Sequence, residues 1–318
     1  MNDARTLPQK GRLAPSPTGG LHVGHARTFL IAWLAAKATG GHVLLRIEDI
    51  DTGRVRPGAT QGAIEDLQWL GLDWESPVYV QSERLEAYKA FLERLKRLES
   101  VYPCTCTRAE IERAASAPHA EEEGPRYPGT CARRSASDGA DLESRGVAFA
   151  WRFRVPDESI AWDDLFLGRV ELSRNEVGGD FIVARSPFAP SYQLACAFDD
   201  ADTGVMQVVR GEDLVPSTPR QILLHRAFGK PPPVFGHVPL VLGLDGKRLA
   251  KRDGAIKLST LRQQGVDPRR LIGILACSIG LSSEVEPSQP EDWITRFHPD
   301  SLPRHSWTIP LCSLYSSV

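Results

Sequence analysis

Arg12-Leu-Ala-Pro-Ser16-Pro-Thr-Gly-Gly-Leu-His22-Val-Gly-His25 is the stretch on which the fold turns. Gly11–Ala14 is a short apolar run and predicts a strand, which Pro15 and Pro17 end. From Gly24 to Thr39 the apolar residues Phe29, Leu30, Trp33, Leu34 and Ala38 recur at helical spacing. Gly40-Gly41 then stops the helix. His42–Ile47 is compact, largely apolar and predicts the next strand. Strand, helix, strand makes a βαβ unit, with an expected right-handed crossover. Ligands of such sheets bind beyond the carboxyl ends of the strands, where His22, His25, Glu48 and Asp49 fall.

Outward from this unit, helices are expected near Ala59–Leu70 and Glu83–Leu98. Strands follow at Ala148–Val155 and Arg169–Ser173. Strands and helices alternate again through Phe181–Ala184, a helix around Tyr192, Val205–Arg210 and a helix from Thr218 to Phe228. The last 40 residues lack clear periodicity. The class is therefore α/β. The segment from Cys104 to Ser144 differs: it is rich in Ala, Glu, Ser and Gly and promises little core of its own.

The 318 residues suffice to bury a core, and 42% hydrophobic with 25% charged residues is ordinary globular composition. No stretch is long and apolar enough to span a bilayer; Thr28–Ala38 is about half the length required and contains Trp33 and Lys37. The first residues show no apolar signal core, so a cytoplasmic location is the default expectation. A net charge of −2 neither announces nor excludes a nucleic-acid partner.

Two motifs carry chemistry together. His22-Val-Gly-His25 opens a helix whose free amides and positive dipole end would face an anion. Gly24 would let a nucleotide approach the backbone, and the two imidazoles could donate to phosphate oxygens. Far downstream, Lys247, Arg248, Lys251 and Arg252 cluster on a loop flanked by Gly246 and Gly254. Alone, four cations read as a solvated surface. Beside the first motif they suit a loop closing over a triphosphate, with Lys251 stabilising charge at the α-phosphate. Three of the six cysteines fall in the Cys104–Ser144 segment: Cys104, Cys106 and Cys131. Clustered cysteines without a secretion signal point to metal ligation, with His119, Tyr127 or water as fourth ligand. On chemistry alone His119 leads. Cys196 and Cys277 sit in apolar runs and read as buried small side chains.

With these motifs in view, the sequence resembles the class I aminoacyl-tRNA synthetases, glutamyl branch. His22-Val-Gly-His25 matches their HIGH signature and Arg248-Leu-Ala-Lys-Arg252 their KMSKS signature. Leu45-Arg-Ile-Glu-Asp49, Ser191-Tyr-Gln-Leu-Ala195 and Val208-Val-Arg-Gly-Glu-Asp213 are similar to further blocks, in order, from Gly11 to Leu281. Arg248 and Ala250 depart from the usual lysine and serine, while Lys251 retains the second lysine. The resemblance implies a Rossmann-like catalytic domain that binds ATP, with magnesium, through His22, Gly24, His25, Arg248 and Lys251. His22, His25 and Lys251 would be catalytic. It puts L-glutamate on Arg12, Ser16, Glu48, Tyr192 and Arg210. The chemistry agrees: arginines suit carboxylates and Glu48 an ammonium. A structural Arg210–Glu212 ion pair is the competing reading of that arginine.

A smaller group, the glutamyl-queuosine tRNA(Asp) synthetases, binds one structural zinc through Cys-x-Cys…Tyr-x-x-x-Cys. That pattern occurs at Cys104, Cys106, Tyr127 and Cys131, and implies Tyr127 over His119. Little more than 35 residues follow Leu281, too few for an anticodon-binding domain. The expected layout is 1–103 and 146–260 as halves of the catalytic domain, 104–145 as a zinc-stabilised insertion and 261–318 as a short helical or irregular tail. The expected function is tRNA-independent activation of glutamate, then transfer to the queuosine base of tRNA(Asp), by a monomer without membrane attachment. Competing readings are a conventional glutamyl-tRNA synthetase acting at a 3′ end, a nucleotidyltransferase sharing His-x-Gly-His, and a silent zinc-containing RNA-binding module.

Overall fold

The computed structural model of the protein describes residues 8–114, 126–243 and 256–309. The first unit is β1 (Lys10–Leu13), α1 (Val23–Lys37) and β2 (His42–Ile47). β1 and β2 pair in parallel, Lys10 opposite His42 and Leu13 opposite Leu45. α2 (Ala59–Trp69) leads to β3 (Glu75–Val80), which adds in parallel to β2. After α3 (Leu85–Arg97) the chain leaves this sheet and returns much later through Gln207–Gly211.

α1 is buried on nearly every side rather than along one stripe. Leu30, Ile31, Trp33 and Leu34 are all within 1% of complete burial. This is why its apolar positions are so dense. The Trp33 indole N–H ends in polar company, donating to Asp73 Oδ1 at 2.7 Å.

The excursion contains β4 (Val101–Cys104), α4 (Arg108–Ala114), α5 (Asp138–Ser144), β5 (Ala150–Phe153), β6 (Ile160–Asp164), β7 (Gly168–Leu172), β8 (Phe181–Arg185) and β9 (Ala189–Pro190). Strands β4-β5-β8-β9 form an antiparallel sheet, and β6-β7 a separate hairpin. β6, with alternating burial, has no counterpart among the sequence-based strands. Cys104 ends β4, beside a small cluster of Tyr102, Ile111, Tyr127 and Cys131. α5 belongs elsewhere: its Leu142 joins the larger core around Trp151 and Phe153.

The second half comprises α6 (Tyr192–Thr203), β10 (Gln207–Gly211), α7 (Thr218–Phe228), β11 (Val234–Val238) and β12 (Val241–Leu242). Ser191 Oγ caps α6 by accepting the Leu194 N–H at 3.3 Å. β10 and β11 pair in parallel, with Arg210 opposite His237. β10 lies along the free edge of β1: Met206 N–H donates to Lys10 O at 2.8 Å and Arg12 Nη1 to Val209 O at 2.9 Å. The spatial order is thus β3-β2-β1-β10-β11, and its direction reverses between β1 and β10. A crevice at that switch point is where an open α/β sheet binds ligands.

α8 (Leu258–Gln263) and α9 (Pro268–Ser278) follow, and β13 (Trp307–Thr308) pairs with β12. Asp267 caps α9 by accepting the Arg269 N–H, with Pro268 in its first turn. α9 is well formed and largely buried. Cys277 differs from expectation: it is half-buried, its thiol donating to Glu284 O at 2.9 Å. It occupies the last turn of α9, where one side is open.

Candidate active site

A cleft of about 500 Å³ opens at the switch point, between the start of α1 and the ends of β1, β2 and β10. Arg12, Ser16, His22, Gly24, His25, Glu48, Tyr192 and Arg210 all line it. Arg248 and Lys251, with Lys247, Ala250 and Arg252, lie outside the described residues, as does His119.

The turn before α1 is held from both chain directions. Val23 N–H donates to Ile256 O, and Leu258 N–H to Leu21 O. His22 caps the helix in extended conformation, and its backbone N–H donates to His25 Nδ1 at 3.2 Å. A neutral His25 must therefore carry its proton on Nε2, which makes that nitrogen the donor. The two imidazoles stack with centroids 3.6 Å apart. Gly24 has a role not foreseen from sequence: a Cβ there would lie 3.0 Å from His22 Cε1 and 3.1 Å from its Nδ1. The glycine makes room for the imidazole.

Glu48 is buried at the carboxyl end of β2. One of its oxygens, Oε1, accepts from Arg46 Nη2 at 3.0 Å and from the Cys196 thiol at 3.2 Å. Arg46 in turn bonds Asp200 Oδ1 at 2.5 Å, and Asp200 also faces Arg12 Nε at 4.0 Å. Burial opposes the charge on Arg46, but Asp200 and Glu48 outweigh it and raise its pKa. Burial also opposes ionisation of Asp200, yet Arg46 and Arg12 hold its pKa low. Arg12 has its own pKa lowered, chiefly by burial, with Asp200 pulling the other way. The result is a buried charge network at the cleft floor, reaching the cleft through Arg12 and Glu48. Arg46, Asp200 and Cys196 belong to it and were not singled out from sequence as site residues. Arg46 of β2 stands two residues before Glu48, and its side chain reaches the Glu48 carboxylate on the same face.

Arg210 does not pair with Glu212. Its Nε–H donates to His237 Nε2 at 3.1 Å, Nη1 to Gln221 Oε1 at 2.8 Å and Nη2 to Thr218 Oγ1 at 2.7 Å. Glu212 instead accepts the Leu240 N–H. Tyr192, in the first turn of α6, faces Glu48 and the two arginines, and burial raises its pKa. It stays a neutral phenol.

The three thiols of Cys104, Cys106 and Cys131 lie within 4.8 Å of one another. The Tyr127 hydroxyl is 3.4 Å from Cys104 Sγ and accepts the Cys131 N–H at 2.8 Å. Burial and then Cys104 push the Cys106 thiol up to about 11. Thiols this close resist ionising together unless a cation joins them. The soft donor set and spacing suit a metal ion.

The family model of the tRNA synthetases class I (E and Q) catalytic domain matches residues 10–301. A glutamyl-Q tRNA(Asp) synthetase of Symbiobacterium thermophilum is 49% identical over 309 residues, covering 94% of this chain and 95% of that protein. The chain belongs to the glutamyl-Q tRNA(Asp) synthetase family of class I tRNA synthetases. Membership makes it a ligase and removes the nucleotidyltransferase alternative. A glutamate–tRNA ligase of Coprothermobacter proteolyticus is 39% identical, and this chain spans 96% of itself but only 65% of that protein. The crystal structure of a glutamate tRNA ligase from Elizabethkingia meningosepticum, in complex with its amino acid, superposes with a TM-score of 0.82 at 26% identity. The match covers 96% of this chain and 68% of that one. Among the described residues, no helix of this chain is long and apolar enough to cross a membrane.

Proposed function

We propose that the chain activates L-glutamate with ATP, without RNA, and transfers it to the queuosine base at the wobble position of tRNA(Asp). The glutamate α-carboxylate attacks the α-phosphate in line, forming the mixed anhydride and releasing pyrophosphate. A hydroxyl of the queuosine cyclopentenediol then attacks the anhydride carbonyl, and AMP leaves with the bonding electrons. No protein nucleophile is required; positioning and charge stabilisation carry both steps.

In this reading Arg12 and Arg210 bind glutamate carboxylates, Glu48 receives the ammonium, and Ser16 and Tyr192 orient the ligand. The positive end of the α1 dipole, His22 and the Nε2–H of His25 hold ATP oxygens; Gly24 keeps His22 in place. Arg248 and Lys251 complete the phosphate site from the loop. Magnesium bound to ATP supplies further charge neutralisation. Cys104, Cys106, Tyr127 and Cys131 would hold one structural zinc, pinning a segment whose own apolar cluster is small. Residues 104–145 would act as that insertion within the catalytic domain 1–103 and 146–260, with 261–318 as a short helical or irregular C-terminal region. We take it to work as a cytoplasmic monomer, where thiols stay reduced.

The supporting observation is the cleft itself. An acid and two arginines suited to glutamate sit beside a helix N-terminus suited to phosphate. The match over 95% of a glutamyl-Q relative favours queuosine as acceptor over a tRNA 3′ end. The test is acylation of tRNA(Asp) with and without queuosine. Glutamate should be accepted only on the queuosine-containing tRNA. Equal charging of both would establish a conventional ligase. ATP–pyrophosphate exchange should need glutamate and no RNA; its absence would favour a silent module.

A further inference from the structure

Behind Arg210 lies a buried chain of groups that the proposed reaction does not use. His237 Nδ1 meets Asp164 Oδ2 at 2.6 Å, and its Nε2 meets Arg210 Nε at 3.1 Å. Both His237 and Asp164 have side chains with no exposed surface. Asp164 is pinned at the end of β6, where its Oδ1 accepts the backbone N–H groups of Phe166, Leu167 and His237 at 3.0–3.2 Å. The β6 end is held against β11 by Leu165 N–H donating to Phe235 O. At Gly236 a Cβ would come within 2.8 Å of the Phe166 ring, so only glycine permits this approach.

The hydrogen bonds dictate the protonation pattern. A carboxylate can only accept, so His237 donates through Nδ1–H. Its Nε2 is then a lone pair that accepts from Arg210. A proton on Nε2 would set a cation against the guanidinium; burial and Arg210 together keep the imidazole neutral. Thr218 Oγ1 closes the arrangement, 3.1 Å from His237 Nε2 and accepting from Arg210 Nη2.

We propose that Asp164 and His237 are positioning residues that aim Arg210 at the side-chain or α-carboxylate of glutamate while keeping its charge available. The inference rests on Arg210 being a glutamate ligand. Of five guanidinium N–H groups, three are committed to His237, Gln221 and Thr218. One on each terminal nitrogen is left for a substrate carboxylate. The neutral imidazole is the essential spacer. An aspartate touching Arg210 directly would compete with the substrate for its charge. Asp164 acts one ring away, fixing the tautomer without capping the cation.

The test compares KM for glutamate, KM for ATP and kcat in ATP–pyrophosphate exchange, with Tm for each variant. His237→Leu and Asp164→Asn should raise the glutamate KM about tenfold, leaving the ATP KM and kcat within about twofold. His237→Gln, whose amide oxygen can still accept from Arg210, should recover most of that loss. Thr218→Val, nearly isosteric, carries the same comparison should His237→Leu fail to fold. Arg210→Gln should raise the glutamate KM at least about 100-fold. Folded His237→Leu, Asp164→Asn and Thr218→Val with wild-type glutamate KM would overturn the proposal while leaving the role of Arg210 intact. Equal rises in both KM values would also overturn it, by showing a merely structural role. An unchanged glutamate KM in Arg210→Gln would instead remove the parent reading, and this proposal with it.

Discussion

Lys257 faces His22 in an isolated antiparallel bridge, so the far end of the lysine-bearing segment is stitched to the cap of α1. The near end is also local: Val241 of β12 lines the same cleft, and its Cβ would lie 3.5 Å from a Cβ at position 24. Both ends of the segment carrying Lys251 are therefore anchored beside the proposed phosphate site. Arg27 of α1 reinforces this. It is buried, donates to Pro239 O at 2.8 Å and to Ser278 Oγ at 3.1 Å, and so ties α1, the β11–β12 turn and α9 together.

Gly24→Ala tests the packing of His22. Alanine suits a helix better than glycine, so Tm should hold or rise. The added Cβ would push the His22 ring, and kcat for ATP–pyrophosphate exchange should fall about tenfold or more, since small misplacements of reacting groups are costly. An unaltered kcat would show that the ring position is immaterial.

Glu48→Gln tests the ammonium site. Oε1 is already committed to Arg46 and Cys196, which leaves Oε2 for a ligand. Losing a charged hydrogen bond there should cost about 2–3 kcal/mol, a rise of roughly 30- to 150-fold in glutamate KM. ATP binding should hardly change. Comparable loss of ATP affinity would place the ammonium elsewhere.

Asp66 gives a pH-dependent stability effect away from the cleft. Burial raises its pKa from the ordinary 3.8 to about 6, with Arg262 opposing. The folded-state pKa is the higher one, so folding favours the neutral acid. That contribution is full below about pH 4 and is lost as pH rises through about 6. Asp66→Asn should therefore stabilise the protein at pH 7.5 by about 1–2 kcal/mol, since asparagine buries no charge but gives up the 3.4 Å pairing with Arg262. The gain should vanish towards pH 4 in chemical denaturation. A gain independent of pH would rule out this carboxyl as its source.

The cysteine cluster predicts about one zinc per chain by metal analysis. Chelation or Cys106→Ser should lower Tm. Tyr127→Phe should weaken metal retention at least about tenfold, the hydroxyl being 3.4 Å from Cys104 Sγ. Full retention in Tyr127→Phe together with loss in His119→Ala would transfer the fourth ligand to the histidine.

Much of this architecture is readable from residues alone. Trp33, Leu34 and their neighbours mark α1, Gly40-Gly41 marks its end, and Thr218 to Phe228 is bounded by a proline-containing first turn and Gly229. Such signals are local, because backbone preference and apolar periodicity act over a few residues. β6 escaped because its single turn of alternation, Ile160 to Asp164, is too short to stand out. The helical start near Glu83 divides into a 3₁₀ turn, Gln81–Arg84, and α3, which side-chain spacing does not distinguish.

By itself the sequence determined the α/β class, the family and the residue types that line the cleft. What it left undecided is which partner each polar group takes. Arg210 could have met Glu212, two residues away, yet bonds Thr218, Gln221 and His237. Asp164 meets its histidine across 73 positions of chain. A hydrogen bond demands a donor and acceptor within a few tenths of an ångström, and only the packing of distant strands sets separations that finely.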